Sequence, residues 1–163
     1  MKSERKLQDV KKDADTEITR LKFMLASSPA VTYVSEAFGD FAATFISENV
    51  TVIIGYQSSD FLDNPSFWAD HIHPDEKEHI LNELNILFEK EQLMCEYRFL
   101  HKDGSYRWMR DEMKLIRGAS GNPLEIIGSW SDINLRKEAE LALEESEKRY
   151  RTFAKFSRNQ LQR

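Results

Sequence analysis

Three consecutive blocks of sequence between residues 95 and 137 constrain the fold of this chain more than any other feature. The first two, Cys95-Glu-Tyr-Arg-Phe and Lys102-Asp-Gly-Ser-Tyr-Arg-Trp108, predict two β-strands joined at the turn Asp103-Gly104. The third, Gly128-Ser-Trp-Ser-Asp-Ile-Asn-Leu-Arg-Lys137, predicts a strand that continues directly into a charged helix. A sheet whose last strand becomes an outgoing helix is typical of a module that passes a conformational change along the chain.

The middle of the chain, residues 29–133, predicts an α+β domain. Residues 30–34 and 41–46 are rich in β-prone side chains and predict a hairpin, after which short helices follow. Pro74 starts a longer helix that extends to about Lys90, with acidic residues placed against the positive end of its dipole. Three longer strands complete the predicted antiparallel sheet.

Both ends of the chain predict helical extensions with one apolar face. Residues 1–26 contain no Gly or Pro and space their apolar residues nearly in heptads, so we expect a homodimer that pairs through this helix. Residues 134–163 have a modest, partly polar seam, and we expect a coiled-coil linker helix that leads to a following domain. The residues predicted for the dimer interface are Leu7, Val10, Leu21 and Met24.

Composition limits the classes of protein to which the chain can belong. With 163 residues, 40% of them hydrophobic, it is long enough for one domain with extensions. No apolar run approaches the ~20 residues of a membrane span, and the N-terminus lacks the apolar segment of a signal peptide. A single cysteine suits a reducing compartment, so we expect a cytoplasmic protein. The net charge of -5 offers no basic surface for nucleic acid.

In their order, the three blocks resemble the C-terminal half of PAS sensor domains, which is called the PAC motif. Phe67-Trp68 and Ile72-His-Pro-Asp75 resemble the step that introduces the long helix of PAS-fold-3-like domains. Asn134 departs from the threonine usual in the family, but it can also cap a helix. The resemblance covers residues 30–137 and implies a PAS fold, a five-stranded antiparallel sheet in the order 2-1-5-4-3 with helices on one face. It also implies a multidomain prokaryotic signalling protein, most often a sensor histidine kinase or a diguanylate cyclase.

The resemblance further implies a pocket between the long helix and the sheet. One hypothesis is a sensor that holds a small-molecule ligand or a cofactor in this pocket. The other is a ligand-free relay that sets the geometry of a dimer between neighbouring domains, since bulky side chains such as Trp130 are large enough to fill the interior. The residues predicted to line the pocket are Phe45, Trp68, Ile80, Leu84, Tyr97 and Trp108.

The alternative of a haem-based sensor depends on His79. Some haem-binding PAS proteins carry their proximal histidine on the same helix, a few residues beyond a proline. At ~100° per residue, however, His79 lies more than roughly 90° from the centre of the face formed by Ile80, Leu84 and Leu87. We therefore expect His79 to point towards solvent or the rim of the pocket, and we expect no cofactor.

Motifs for other chemistry are missing from the sequence. Cys95 lacks the Asn-Cys-Arg context of flavin-binding PAS photoreceptors, so we expect a small buried hydrophobe there. His71, His73 and His79 lack the i, i+4 spacing of helix-borne zinc sites, and we predict no metal site. No nucleophile, P-loop or metal-hydrolase motif is present, so we expect a regulatory segment without a catalytic site of its own.

Asp132 and Arg136 are predicted to act together where the last strand becomes the outgoing helix. They lie four residues apart, a spacing at which one helical turn brings two side chains together. An exposed pair of this kind contributes only ~0.3–0.5 kcal/mol to stability. We therefore expect either a signal relay that fixes the direction of the helix or a simple helix cap.

Overall fold

The computed structural model describes residues 2–160, with side-chain surroundings for residues 6–158. The chain consists of two units, one that ends at Asp132 and one that begins at Ile133. Within the described residues, no helix combines the length and the apolar character needed to cross a membrane. The elements in chain order are α1 (Lys2–Ala26), β1 (Val31–Glu36), β2 (Ala43–Ile46), α2 (Val50–Ile54), α3 (Ser58–Leu62), α4 (Phe67–His71), α5 (Pro74–Lys90), β3 (Gln92–Leu100), β4 (Tyr106–Arg117), β5 (Pro123–Asp132) and α6 (Asn134–Gln160).

The strands form one antiparallel sheet in the order β2-β1-β5-β4-β3, which confirms the predicted order. β5, the strand that precedes α6, lies at the centre of the sheet between β1 and β4. One row of paired residues crosses four neighbouring strands, and all of its members are buried. The row consists of Val31, Trp130, Asp111 and Cys95.

Helix α5 covers part of the sheet by packing against β3 and β4. Pro74 occupies its first turn, where the backbone N–H that proline lacks would have no partner within the helix. The Nδ1 atom of His73 caps the same end by accepting a hydrogen bond from the Asp75 N–H at 3.2 Å. These features confirm the predicted start of the helix. Its buried face consists of Ile80, Leu84 and Leu87.

The second strand of the N-terminal hairpin is shorter than the sequence predicts. β2 begins at Ala43 rather than at position 41, because Phe41 has a φ of 56°, a left-handed conformation that an extended strand does not contain. The Phe41 ring instead packs against Phe88 of α5, with 6.3 Å between the ring centroids. As a result, Phe41 joins the wall of the internal cavity described below.

Candidate functional site

A cavity lies between the inner face of the sheet and helices α3, α4 and α5. Its volume is ≈ 50 Å³, and the exposed residues Asn64 and Pro65 lie at its rim. The aromatic part of its wall consists of Tyr33, Phe41, Phe61, Trp68 and Trp130. The aliphatic part includes Ile46, Leu84, Met113 and Ile126. The wall is therefore mainly apolar, with polar groups from a few residues.

Asp111 places a carboxyl group in this apolar wall. Successive side chains of a strand point to opposite faces of the sheet, and on β4 the inward positions are Met109, Asp111, Met113 and Leu115. Asp111 is only 1% exposed. Burying a carboxyl group costs free energy unless hydrogen bonds satisfy its oxygens. The hydrogen-bond partners of Asp111 therefore determine how much its burial destabilises the fold.

Two tyrosines satisfy the carboxyl group of Asp111. The Tyr33 hydroxyl donates to Oδ1 and the Tyr97 hydroxyl donates to Oδ2, each at 2.8 Å. The Tyr97 oxygen in turn accepts a hydrogen bond from Nε1 of Trp68, also at 2.8 Å. We call these four residues the Asp111 network. The network joins β1, β3, β4 and α4, so it ties the cavity wall to both the sheet and a short helix.

The protonation of this network follows from its burial. Burial raises the pKa of Asp111 to about 6, although the hydrogen bonds from Tyr33 and Tyr97 oppose the shift. Burial, followed by the negative charge of Asp111, raises the pKa of both tyrosines well above the usual value. Asp111 therefore changes its charge near pH 6, whereas the phenols of Tyr33 and Tyr97 stay protonated and remain donors.

Gly128 allows Tyr33 to reach Asp111. Tyr33 lies on β1 and Asp111 lies on β4, and β5 runs between these two strands. Tyr33 is paired with Gly128 of β5. A Cβ atom added to Gly128 would overlap the Tyr33 ring. The ring therefore crosses β5 over the one position where the missing side chain leaves space for it.

Two of the residues predicted to line the pocket do so. Trp68 and Leu84 are part of the cavity wall. Ile80 and Tyr97 are buried in the adjoining core, at 2% and 0% exposure, and Tyr97 is connected to the cavity through its hydrogen bond to Asp111. The structure thus brings these four predicted residues together on the inner side of the sheet.

The placement predicted for Phe45 and Trp108 is wrong. Phe45 is paired with Val34 and is the neighbour of inward-facing Ile46, so it lies on the outer face of the sheet. Trp108 likewise precedes the inward-facing Met109 on β4. The guanidinium carbon of Arg98 lies 5.6 Å from the centre of the Trp108 ring on that outer face. Neither side chain lines the cavity, because a shift of one residue along a strand reverses the face.

The sequence interpretation missed Tyr33 and Asp111 as site residues. A local signal exists for Asp111, since it alternates with Met109, Met113 and Leu115 and must therefore lie on the apolar face of its strand. No comparable signal exists for Tyr33. Its partner lies 78 positions away, and their contact depends on the order of the strands.

His79 is directed away from the cavity, as its position on α5 predicts. Its side chain is 71% exposed, and its Nε2 atom lies 3.3 Å from Oε1 of Glu83. Among the described residues that line the cavity, none is a histidine. The residues present here therefore do not fit a haem bound through His79.

Cys95 is buried in β3, in keeping with the small hydrophobe predicted there. Burial raises the pKa of its thiol well above the usual range, so the thiol stays protonated at neutral pH. Across the described part of the chain, no group of three or more His, Cys, Asp and Glu side chains is arranged to hold a metal ion.

The remaining predicted residues lie on elements outside the cavity. Asp132 is the last residue of β5, where it is paired with Met109 of β4. Arg136 belongs to α6, with its Nε atom 3.7 Å from Oε1 of Glu140. The stripe predicted for the dimer interface is exposed on α1, with exposures of 70%, 61%, 50% and 61% for Leu7, Val10, Leu21 and Met24.

An antiparallel sheet in this order, with short helices that close a cavity against its inner face, defines a sensor-type α+β domain. The chain belongs to the PAS fold family, because residues 43–130 match the model of that family. The matched range contains three members of the Asp111 network and most of the cavity wall. The resemblance inferred from the sequence is thereby confirmed.

Curated relatives of the chain are sensor proteins, of which the match covers only a small part. Over 141 residues it is 31% identical to the two-component sensor PprA of Pseudomonas aeruginosa, a match that covers 85% of this chain and 15% of that protein. Over 128 residues it is 30% identical to the methyl sulfide methyltransferase-associated sensor of Methanosarcina acetivorans, covering 77% of this chain and 13% of that protein. The chain thus spans 15% or less of the length of these relatives.

Solved structures give the same fold. The N-terminal domain of a diguanylate cyclase with PAS/PAC sensor from Marinobacter aquaeolei is 27% identical, with a TM-score of 0.60, and the match covers 66% of this chain and 98% of that one. A sensory box histidine kinase/response regulator from Burkholderia thailandensis is 24% identical, with a TM-score of 0.65 over 82% of this chain and 98% of that one. These similarities agree with the assignment of the chain as a PAS domain.

Proposed function

We propose that this chain is a cytoplasmic sensory and dimerisation module that regulates a downstream output domain without a catalytic site of its own. The output domain is of the histidine kinase or diguanylate cyclase type. Support comes from the names of the similar proteins, which are a two-component sensor, a diguanylate cyclase with a PAS/PAC sensor and a histidine kinase.

The observation that carries the proposal is the position of the cavity relative to the end of the sheet. Trp130 of β5 lines the cavity, and β5 ends only two residues later at Asp132. Helix α6 begins at Asn134. A molecule that moves the Trp130 side chain therefore acts on the strand that leads directly into the outgoing helix, and the change passes to the output through the chain itself.

Two further parts of the chain complete the proposed relay. Asp132 and Arg136 act at the exit from the sheet, where they set the direction in which residues 134–163 lead to a following domain. The exposed apolar stripe of α1 holds two copies of the module together, so that the outgoing helices of both copies respond jointly. The input is a small molecule in the cavity, because the placement of His79 disfavours the haem-based alternative.

Ala43→Leu in the full-length parent protein tests whether the cavity is the input site. Ala43 lines the cavity, so the larger side chain should fill part of it and reduce the response of the output domain to its stimulus at least several-fold. Thr44→Leu is the matched control, because the neighbouring residue Thr44 is exposed and lies outside the cavity wall. If Ala43→Leu folds normally and both basal output and response equal those of the control, the cavity is not the input.

A further inference from the structure

The carboxyl group of Asp111 faces the cavity without a cationic side chain to balance its charge. Among the described residues of the cavity wall, none is Lys, Arg or His. The adjacent cation on β4, Arg110, lies on the outer face, where its Nη2 atom pairs with Oε1 of Glu112 at 2.6 Å. The charge of Glu112 raises the pKa of Asp111 slightly further, after burial, and so does not balance it.

The groups packed around Asp111 are neutral at neutral pH. β1 contributes the phenol of Tyr33, and β3 contributes the phenol of Tyr97 and the thiol of Cys95, all with raised pKa values. From β5 and α5, the neighbouring cavity wall contains Trp130 and Leu84, which do not titrate, and α5 also carries Glu83, whose negative charge acts on the Cys95 thiol. Ionised Asp111 is therefore a buried negative charge supported by neutral hydrogen-bond donors alone, an arrangement that favours a cation from outside.

The rest of the wall suits a cation that carries carbon rather than a bare metal ion. Tyr33, Phe41, Phe61, Trp68 and Trp130 present aromatic rings to the cavity, and aromatic faces attract organic cations. Hard metal cations instead need about six oxygen ligands, and the mainly apolar wall does not supply them. Each carboxylate oxygen has a second lone-pair site beyond the one used by a tyrosine, so a ligand N–H group has an acceptor.

From this geometry we infer that the cavity binds a small organic cation, an ammonium group with methyl or other short alkyl substituents, and that Asp111 is its counter-charge. The inference rests on the proposed function of the cavity as the sensory input. A volume of ≈ 50 Å³ corresponds to roughly three to five water molecules, and thus to a ligand of about four or five non-hydrogen atoms at most. Trimethylammonium and tetramethylammonium, with four and five non-hydrogen atoms, fall in this range, and methylammonium, with two, is smaller.

The proposed counter-charge gives the binding a defined pH dependence. The cation binds the ionised form of Asp111, whose pKa is about 6 in the free protein. Apparent affinity is proportional to the fraction of protein in the binding-competent form. Affinity should therefore be nearly maximal above pH ~7 and should fall about tenfold between pH ~7 and pH ~5.

The test is isothermal titration calorimetry, in which the 163-residue chain is titrated with each of the three ammonium ions and with tert-butanol, a neutral molecule of similar size. The expected result is saturable binding of at least one cation, at least tenfold tighter than that of tert-butanol. Asp111→Asn should weaken cation binding at least tenfold. Glu112→Gln removes the same charge from the outer face and should leave binding unchanged.

Tyr33→Phe keeps the test decisive if Asp111→Asn does not fold. This variant retains the carboxyl group and the aromatic wall but removes one hydrogen bond that lowers the pKa of Asp111. The pH at which cation binding is half-maximal should therefore move upwards. An unchanged midpoint would overturn the inference.

Three other results would overturn the inference that the cavity binds an organic cation. No saturable binding of any of the three cations, or tert-butanol binding as tightly as the cations, overturns the inference of a cationic ligand. Equal cation binding by wild type and folded Asp111→Asn does the same. In each of these cases the proposed sensory role of the cavity still stands if Ala43→Leu alters the output of the parent protein, and it fails separately if that variant does not.

Discussion

Asp111 combines two physical effects that oppose each other at a single residue. Burial in an apolar wall disfavours its charged form, while the hydrogen bonds from Tyr33 and Tyr97 favour it, and the pKa of about 6 is the balance. The same hydrogen bonds orient the aromatic wall, because the Tyr97 oxygen also accepts from Trp68. A change in the charge of one carboxyl group therefore acts on side chains from three strands and one helix.

The pH dependence of stability should reveal this residue. The pKa of Asp111 is raised in the folded protein, to about 6, above its value of ~3.9 in an unfolded chain. Between these two values the folded state binds more protons than the unfolded state, so stability falls as pH rises. Protonated Asp111 thus contributes up to about 3 kcal/mol to the free energy of unfolding. This contribution is fully present well below pH ~4 and is lost as the pH rises through ~6.

Denaturant unfolding of wild type and Asp111→Asn between pH ~4 and pH ~7 measures this contribution, since all other titrations are shared by the two proteins. Wild type should lose about 2 kcal/mol more than the variant over this range. Glu112→Gln, on the exposed face, retains Asp111 and serves as the control, and its loss should be close to that of wild type but smaller, because the charge of Glu112 raises the pKa of Asp111. Parallel stability curves for wild type and Asp111→Asn would show that Asp111 does not titrate in this way.

At the scale of elements, the sequence was sufficient where the signals are local. Helix α5 was predicted with the correct ends because Pro74 and the acidic residues after it mark its start. The strands β3 and β4 were predicted because Asp103-Gly104 lies between two β-prone runs. Even the exposure of His79 follows from its angle around α5.

The candidate site was harder to predict, because it depends on pairing between distant elements. Phe45 and Trp108 were assigned to the interior from their size, but a strand exposes alternate residues and size does not choose the face. The contact between Tyr33 and Asp111 crosses a third strand over Gly128. Only the register of β1, β5 and β4 shows that these three residues belong together.

The exit from the sheet offers a prediction for the element that leaves it. Asp132 ends β5 and Asn134 begins α6, so the backbone changes from strand to helix within two residues. Asp132→Ala should shift the melting temperature by only about 1–2 °C, because an exposed ion pair contributes little to stability. In the full-length parent, the same variant should alter output activity or its response to stimulus if Asp132 is a relay.

Glu144→Ala is the matched control for this variant. Glu144 is an exposed carboxylate further along α6 that pairs with Lys148 at 2.8 Å, and its loss removes the same charge without changing the exit from the sheet. Unaltered output and response for Asp132→Ala would reduce Asp132 to a helix cap. A large loss of stability would instead show that its main role is structural.

For the whole molecule, the exposed apolar surface of α1 is a feature that needs a partner. Leu7, Val10, Leu21 and Met24 lie along one side of a 25-residue helix, and each is at least half exposed. Isolated helices are marginal in water, and most of their stability in proteins comes from packing of an apolar face. Pairing of two copies along this stripe would provide that packing, with each buried side chain contributing on the order of 1 kcal/mol.

The purified chain should therefore be a dimer at micromolar concentration, as measured by light scattering, and deletion of residues 1–25 should give a monomer. Leu21→Glu should weaken the dimer at least tenfold, because it places a charge in the apolar stripe. Thr16→Glu introduces the same charge on the opposite side of α1, about 180° from Leu7, and should leave the dimer intact. A monomer mass for wild type, or an unchanged mass after the deletion, would exclude α1 as the dimer interface. Equal weakening by the two substitutions would point to a general charge effect and not to pairing along the stripe.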